Sequence, residues 1–311
     1  MSKLRIVVNP AAGKGRAVKL LPVIEQELKQ FPLEYEICLT EYPWHAAKLA
    51  EEAVTLGYDV VAAGGDGTAN EVLNGIMLAR NNGLGTTRMG VLPIGRGNDF
   101  GFSMGIPAEP KEACRVLAEG KTRWIDIGLV KGGLYPQGRY FGNGVGIGFD
   151  AVVGFVAAEL PLSGFPAYLA ATVKTMMLYY HAPLMEITLD GQTFQKSCLM
   201  VSVMNGYRLG GGFYMTPESK PDDQTFDLCI AGKISRTRIL RIIPSFFNGT
   251  QGRWKRDISF HRSSKITVRS LDGALPTHAD GETICVDGNE LSIEILPKQI
   301  ELITGVSGNM S

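Results

Sequence analysis

From Leu4 to Ala118 the chain alternates short apolar runs with longer amphipathic ones, and this alternation restricts its fold more than any other feature. Leu4–Val8 leads to a helical pattern near Val18–Gln30, Tyr35–Leu39 to one over His45–Leu56, and Asp59–Ala63 to one over Asn70–Ala79. Met89–Pro93 is a further strand, and a helix near Pro110–Ala118 closes the series. Strands separated by helices predict an open, mostly parallel α/β sheet. Ligands of such sheets sit beyond the carboxyl ends of the strands. Three glycine-rich loops of this half fall at those ends.

The most specific of them is Gly64-Gly65-Asp66-Gly67-Thr68-Ala69-Asn70-Glu71, placed between a strand and a helix. Glycine lets the backbone approach a phosphate, and a helix N-terminus presents unpaired N–H groups to it. An ordinary turn needs one glycine, whereas here three surround a single acid that could organise Mg²⁺. The loop Asn9-Pro10-Ala11-Ala12-Gly13-Lys14-Gly15 resembles a P-loop superficially but lacks its spacing. It is read equally well as a phosphate nest or as a Pro/Gly connector. Pro93-Ile94-Gly95-Arg96-Gly97-Asn98-Asp99-Phe100 again follows a strand directly. Asn98 and Asp99 are strong helix caps, and Arg96 is placed to clamp phosphate oxygens. Three such loops on one sheet edge favour a nucleotide phosphate site.

Beyond Trp124-Ile125-Asp126-Ile127-Gly128 the texture changes to short strands separated by turns. Tyr140–Phe141, Leu184–Leu189, Phe194–Val203, Phe226–Ala231, Lys265–Ser270, Thr283–Val286 and Leu291–Leu296 are strand candidates, many alternating apolar with polar. That pattern belongs to antiparallel sheets. The expected architecture is therefore an α/β N-terminal domain with an open, mostly parallel sheet, then a β-rich sandwich carrying a helical insert near Ala151–Tyr180. The boundary falls at 1–126 and 127–297, with the tail 298–311 a candidate to rejoin the first domain.

Lys+Arg and Asp+Glu balance at 31 each, which argues against a globally basic nucleic-acid binder. The five cysteines are scattered without metal-ligand spacing, as expected of free thiols in a reducing cytoplasm. The four histidines are dispersed and suggest no zinc site. The chain starts directly on a strand, so no signal peptide is expected. Phe165–Leu178, the nearest approach to a membrane span, is too short and holds Lys174. The expectation is a cytoplasmic protein that meets membranes, if at all, from the side.

A fourth segment, His278-Ala279-Asp280-Gly281-Glu282-Thr283, is read either as a hairpin turn or as a carrier of a general base, Asp280 or Glu282. Asn9-Pro10-x-x-Gly13, the Gly64–Glu71 segment, Gly95–Phe100 and Asp280-Gly281-Glu282 occur here in one order. Together they resemble the diacylglycerol kinase catalytic-domain family of soluble bacterial lipid kinases and sphingosine kinases. The resemblance covers essentially the whole chain, including Asp126–Gly128 and Asn143–Asp150.

That resemblance implies ATP- and Mg²⁺-dependent phosphorylation of a lipid hydroxyl, in diacylglycerol or a related lipid. Carried over residue by residue, it places ATP at Asn9, Pro10, Ala11, Ala12, Gly13, Thr40, Gly64, Gly65, Asp66, Gly67, Thr68, Asn70, Glu71, Arg96, Asn98 and Asp99. Glu282 matches the general base, with Asp66 as its catalytic companion. Asp66, Asp99 and Asp126 resemble the acidic network linked to Mg²⁺. Lys220, Asp223 and Thr225 resemble a structural Mg²⁺ loop. Arg96 stands where many members have Thr, and Gln224 replaces a common Gly. The implied partners are a lipid substrate and a transient peripheral membrane contact, without nucleic acid; a homodimer is left open. A nicotinamide-nucleotide kinase and a non-catalytic lipid-binding protein on the same fold are the competing readings.

Overall fold

A computed structural model describes residues 3–162 and 165–305. Residues 163–164 of the expected helical insert and 306–311 of the expected tail lie outside the described residues. The chain divides into two compact units: one runs to Ile127 and resumes at Pro297, and the other is Gly128–Leu296.

In the first unit, β1 (Leu4–Val8), α1 (Ala12–Leu28), β2 (Tyr35–Leu39), α2 (His45–Thr55), β3 (Asp59–Gly64), α3 (Asp66–Asn81), β4 (Arg88–Pro93), α4 (Asp99–Ser103) and α5 (Pro110–Glu119) follow in order. β1 lies between β2 and β3, and β4 lies beyond β3, all parallel. Glu301 and Leu302 add a further parallel partner beside Arg88 and Met89 of β4. Connections therefore leave β1 in one direction and β3 in the other, and a crevice opens at their carboxyl ends. Leu4, Ile6 and Val8 of β1 pack on Ala17, Ile24 and Leu28 of α1 and Cys114 and Leu117 of α5. On α2, alanines 46, 47, 50 and 53 are buried, and α3 approaches so closely that a Cβ on Gly75 would lie 2.1 Å from the Ala47 carbonyl oxygen. α1 is interrupted near its start: Gly13, Lys14 and Gly15 all take positive φ, at 61°, 59° and 83°. The expected helix near Val18–Gln30 thus begins earlier, through a left-handed turn that two glycines make accessible.

In the second unit the pairings described below are antiparallel. Here β5 (Thr122–Gly132), which enters from the first unit, pairs through Gly128–Gly132 with β6 (Tyr135–Phe141). Next come β7 (Gly144–Gly148), α6 (Phe149–Glu159), α7 (Phe165–Leu178), β8 (Leu184–Leu189), β9 (Gln192–Met204), β10 (Arg208–Leu209), β11 (Phe213–Tyr214) and β12 (Phe226–Gly232). α8 (Arg236–Phe246), β13 (Ile258–Ser263), β14 (Lys265–Ser270), β15 (Thr277–Ala279), β16 (Glu282–Cys285) and β17 (Glu290–Ile303) complete the chain.

β9 serves two sheets. Gln192–Ser197 pairs with β8, while Cys198–Met204 pairs with β12 and its last residues with β7. Val145, Ile147, Val201, Val203, Leu228 and Ile230 fill the core between the sheets. The opposite face of β9 and β12 packs Met200, Met204 and Cys229 against residues of α6, α7 and α8. No helix among the described residues is long and apolar enough to cross a membrane. The five cysteines are reduced, and burial pushes the Cys114 and Cys198 thiols up to about 11.

Candidate active site

The three glycine loops of the first unit converge, and they touch main chain to main chain. After β1, the Asn9 side chain closes its own turn by accepting from Ala11 N–H at 3.0 Å, and its amide donates to Thr68 Oγ1 at 3.2 Å. After β3, the Gly64 carbonyl accepts from Ile94 and Gly95 N–H at 2.8 and 3.0 Å. A Cβ on Gly95 would lie 2.2 Å from Gly65 Cα, and one on Gly13 would lie 2.8 Å from the Ile94 carbonyl oxygen. Any side chain at Gly95 would drive the second and third loops apart. These glycines are required by packing.

Asp66 opens α3, where the helix N-terminus favours a carboxylate, and its Oδ1 accepts from Phe100 N–H at 2.9 Å. Across the third loop, Asp66 Oδ2 and Asp99 Oδ2 each lie 3.1 Å from the point a Gly97 Cβ would occupy. Two carboxylates therefore bracket one glycine. Asn98 holds the turn in a left-handed conformation, φ 53°, donating to the Pro93 and Gly95 carbonyls. Arg96 is exposed beside it. Thr40 sits at the end of β2 with its N–H on the Val8 carbonyl at 2.9 Å.

Two residues of the glycine motif make contacts outside the loop. Asn70 is 1% exposed, and its carbonyl and side-chain oxygens accept from the Asn74 side chain. The Glu71 carboxylate accepts from Ala46 N–H at 3.1 Å, in the first turn of α2. The residue preceding that helix, Trp44, provides no side-chain cap. Asp126 is fully buried and accepts from Lys298 N–H at 2.8 Å.

Among the described residues no three His, Cys, Asp or Glu side chains form a cluster able to hold a metal. The donor set of the first unit is thus a carboxylate pair, Asp66 and Asp99. That suits Mg²⁺, which is commonly bound through one or two carboxylates with substrate phosphates completing its shell.

In the second unit, Asp280 and Glu282 occupy one hairpin but differ in employment. Asp280, buried at φ 48°, accepts from the N–H groups of Gly142, Asn143 and Gly144 at 2.7, 3.0 and 2.9 Å. Both of its oxygens are taken, and they fasten the hairpin to the β6–β7 turn. Glu282, paired with Ala279 across the hairpin, is half-buried, and its carboxylate makes no hydrogen bond or ion pair among the described residues. Of the two acids, Glu282 is the one whose carboxylate is left unengaged.

The loop at Lys220–Thr225 is built around a guanidinium. Arg262 contacts Asp223 and the Thr225 hydroxyl and lies 3.5 Å from Asp227. Gln224 adopts φ 65°, a conformation natural to the glycine it replaces, and Lys220 is exposed. Burial pushes the Asp227 carboxyl up, against the pull of Arg262. In this arrangement the Asp223 carboxylate is engaged by Arg262. Sequence reading missed Arg262 because 39 residues separate it from Asp223.

Two family models match the chain. Residues 3–130 match the diacylglycerol kinase catalytic domain, and residues 143–304 match the YegS C-terminal NAD kinase beta sandwich-like domain. A diacylglycerol kinase of Bacillus subtilis is 31% identical over 91% of this chain and 90% of its own length. A solved diacylglycerol kinase structure from Bacillus anthracis superposes with TM-score 0.74 at 23% identity, covering 98% of this chain and 97% of the other. Yeast NADH kinase, solved with NADH, shares the fold at TM-score 0.51 and 12% identity, covering 99% and 84%.

Proposed function

The chain belongs to the diacylglycerol kinase catalytic-domain family, and from that premise we propose that it transfers the γ-phosphoryl group of ATP to the hydroxyl of diacylglycerol or a related lipid. The observation that carries this reading is the three-loop edge, whose glycines abut where phosphates bind at a sheet's switch point.

Phosphoryl transfer asks a protein mainly for positioning and charge neutralisation. Asn9 to Gly13 and Gly64 to Thr68 cradle the phosphates with main-chain N–H groups, and Arg96 and Asn98 close the far side. Thr40 meets the nucleotide from the end of β2. Asn70 and Glu71 act from behind, one stiffening α3 and the other tying it to α2. Bound at Asp66 and Asp99, Mg²⁺ would supply neutralisation of phosphate charge. Asp126 supports this half by fixing Lys298. Glu282 receives the proton of the attacking hydroxyl. No metal is assigned to the loop at 220–225.

The exposed residues Val173, Met177 and Leu178 of α7, a helix without acidic residues in its first turn, are proposed to rest on a lipid surface. Arg236 of α8 adjoins them, donating to the Met176 carbonyl at 2.9 Å. The working location is therefore cytoplasmic and peripheral to a membrane. Radiolabelled ATP against a panel of lipids in mixed micelles tests the activity. Label in a lipid is expected. Label only in a dinucleotide or sugar would sink the proposal.

A further inference from the structure

His278 sits in a slot that the sequence has cleared for it, and neither the phosphate loops nor Glu282 account for it. The residue lies on β15, paired with Gly146 of β7 on one side and with Thr283 of β16 on the other. The hairpin register shifts between Thr277 and His278, and such bulges re-aim side chains beside functional sites. Gly146 and Gly154 wall the slot. A Cβ on Gly146 would lie 2.5 Å from His278 Nε2, and one on Gly154 would lie 3.7 Å from Cδ2. Any side chain at 146 would expel the ring.

Among the described residues the charged group beside the ring is Asp150, in the first turn of α6. Its Oδ2 lies 2.6 Å from the same point a Gly146 Cβ would occupy, so it neighbours Nε2. Asp150 is itself held by Ser202 Oγ, which donates to Oδ2 at 2.9 Å. The strands on either side present Gly146 and Thr283, which carry no charge. On its own hairpin, Asp280 is engaged by three N–H groups, and Glu282 pairs with the core residue Ala279. One strand beyond β9, Cys229 of β12 pairs with Ser202, and burial pushes that thiol up, keeping it neutral.

The two ring nitrogens are unequal. The imidazole is 8% exposed, and Nδ1 is buried without a hydrogen-bond partner. A neutral imidazole has one donor nitrogen and one acceptor. With its proton on Nε2, toward Asp150, the ring leaves only a lone pair unmatched at Nδ1. A second proton would put a buried N–H at Nδ1 with nothing to receive it, and stranded donors of that kind are unfavourable. Asp150 attracts the charge, yet this orientation of the ring cannot house it. Histidine is also the side chain that ordinarily changes charge near neutral pH.

We propose that His278 is a positioning residue for Glu282: neutral, with Nε2 toward Asp150, it seats the β15–β16 hairpin under α6, and its protonation turns the ring and unseats that hairpin. Glu282 stands at the start of β16, beside the Thr283 that His278 pairs with, so the base moves when the hairpin does. This inference rests on the lipid-kinase reading with Glu282 as base. It adds a second acid-side loss of turnover, separate from protonation of Glu282 itself.

The test uses the full chain with ATP and dioleoylglycerol in mixed micelles, read as kcat against pH. In wild-type protein labelled at histidine, the His278 ring resonances are followed over the same range, a reading independent of variant folding. One acid limb of kcat and the ring titration are expected to share a midpoint. A ring that keeps one protonation state while kcat falls overturns the proposal. His278→Gln keeps a donor near Nε2 and cannot take the second proton. Its kcat on the alkaline side should stay within about twofold of wild type, and the shared limb should vanish. His278→Leu should lower kcat about tenfold across the range with the KM for ATP unchanged, and wild-type kcat there counts against the proposal. Asp150→Asn removes the charge that attracts the proton, so limb and ring midpoint should move together to lower pH. A limb that persists in His278→Gln, or a midpoint that Asp150→Asn leaves in place, overturns the positioning role and leaves the kinase reading standing. Wild type that phosphorylates no lipid removes both.

Discussion

The phosphate edge of the first unit and the hairpin of the second are built from different materials. Loops after β1, β3 and β4 meet through glycines and carbonyls, with Gly95 against Gly65 and Gly13 against Ile94. The hairpin at β15–β16 is organised by side chains: Asp280 as a clamp, Glu282 as an unengaged acid and His278 beneath α6. A surface made of main chain recognises what every ATP shares and tolerates little change. One made of side chains can be retuned by single substitutions. On the proposed reading, the donor half of the chemistry is held fixed while the acceptor half stays open to variation.

Five substitutions break or sharpen this contrast, the most severe first. Asp66→Ala removes the carboxylate that opens α3, so turnover should fall about 10³-fold or more while the fold survives; single-turnover kinetics beside a thermal melt will show it. Wild-type kinetics would remove Asp66 from the mechanism. Glu282→Gln should lower kcat by about 10²–10⁴-fold with ATP affinity unchanged. If ATP binding alone weakens, the base is another group. Gly95→Ala tests the main-chain edge. Its Cβ meets Gly65 Cα at 2.2 Å, so ATP kcat/KM should drop about 10²-fold while the KM for lipid is spared. Asp280→Asn leaves at least one of three N–H groups poorly matched, and chemical denaturation should report a loss of about 2–3 kcal/mol. Glu71→Gln weakens the α2 contact. About 1 kcal/mol of stability and no change in kcat is the expected result, and a large kinetic defect would return Glu71 to the ATP site.

The parallel half was legible because its strands and helices keep clean periods and its loops gather glycine. The second half was only partly so. β7 went unrecognised as a strand because its glycines at 144, 146 and 148 all fall on the helix-facing side, erasing the alternation that marks a strand. Its partner-facing residues Val145 and Ile147 carry the core alone. α8 is absent from the expected elements, since Pro244 near its end disguises the helical period. At the site, composition showed which residues could bind phosphate. It could not show that Asn70 turns inward, that Glu71 serves α2, or that Asp280 is consumed by three N–H groups while Glu282 is not. Each of those outcomes depends on residues distant in the chain, such as Arg262 beside Asp223.

β17 runs from Glu290 to Ile303, pairing with β14 at its start and with β4 near its end. Between those pairings the left-handed Lys298 is pinned by Asp126. On the ribosome this has a consequence for the order of events. The first unit emerges almost complete, yet β4 must wait for its outer neighbour until every residue of the second unit has been synthesised. During that interval β4 is an unpaired parallel edge, open to the wrong partner. A nascent chain halted before Pro297 should therefore be more prone to aggregation than its length suggests, and release of the last strand closes the sheet.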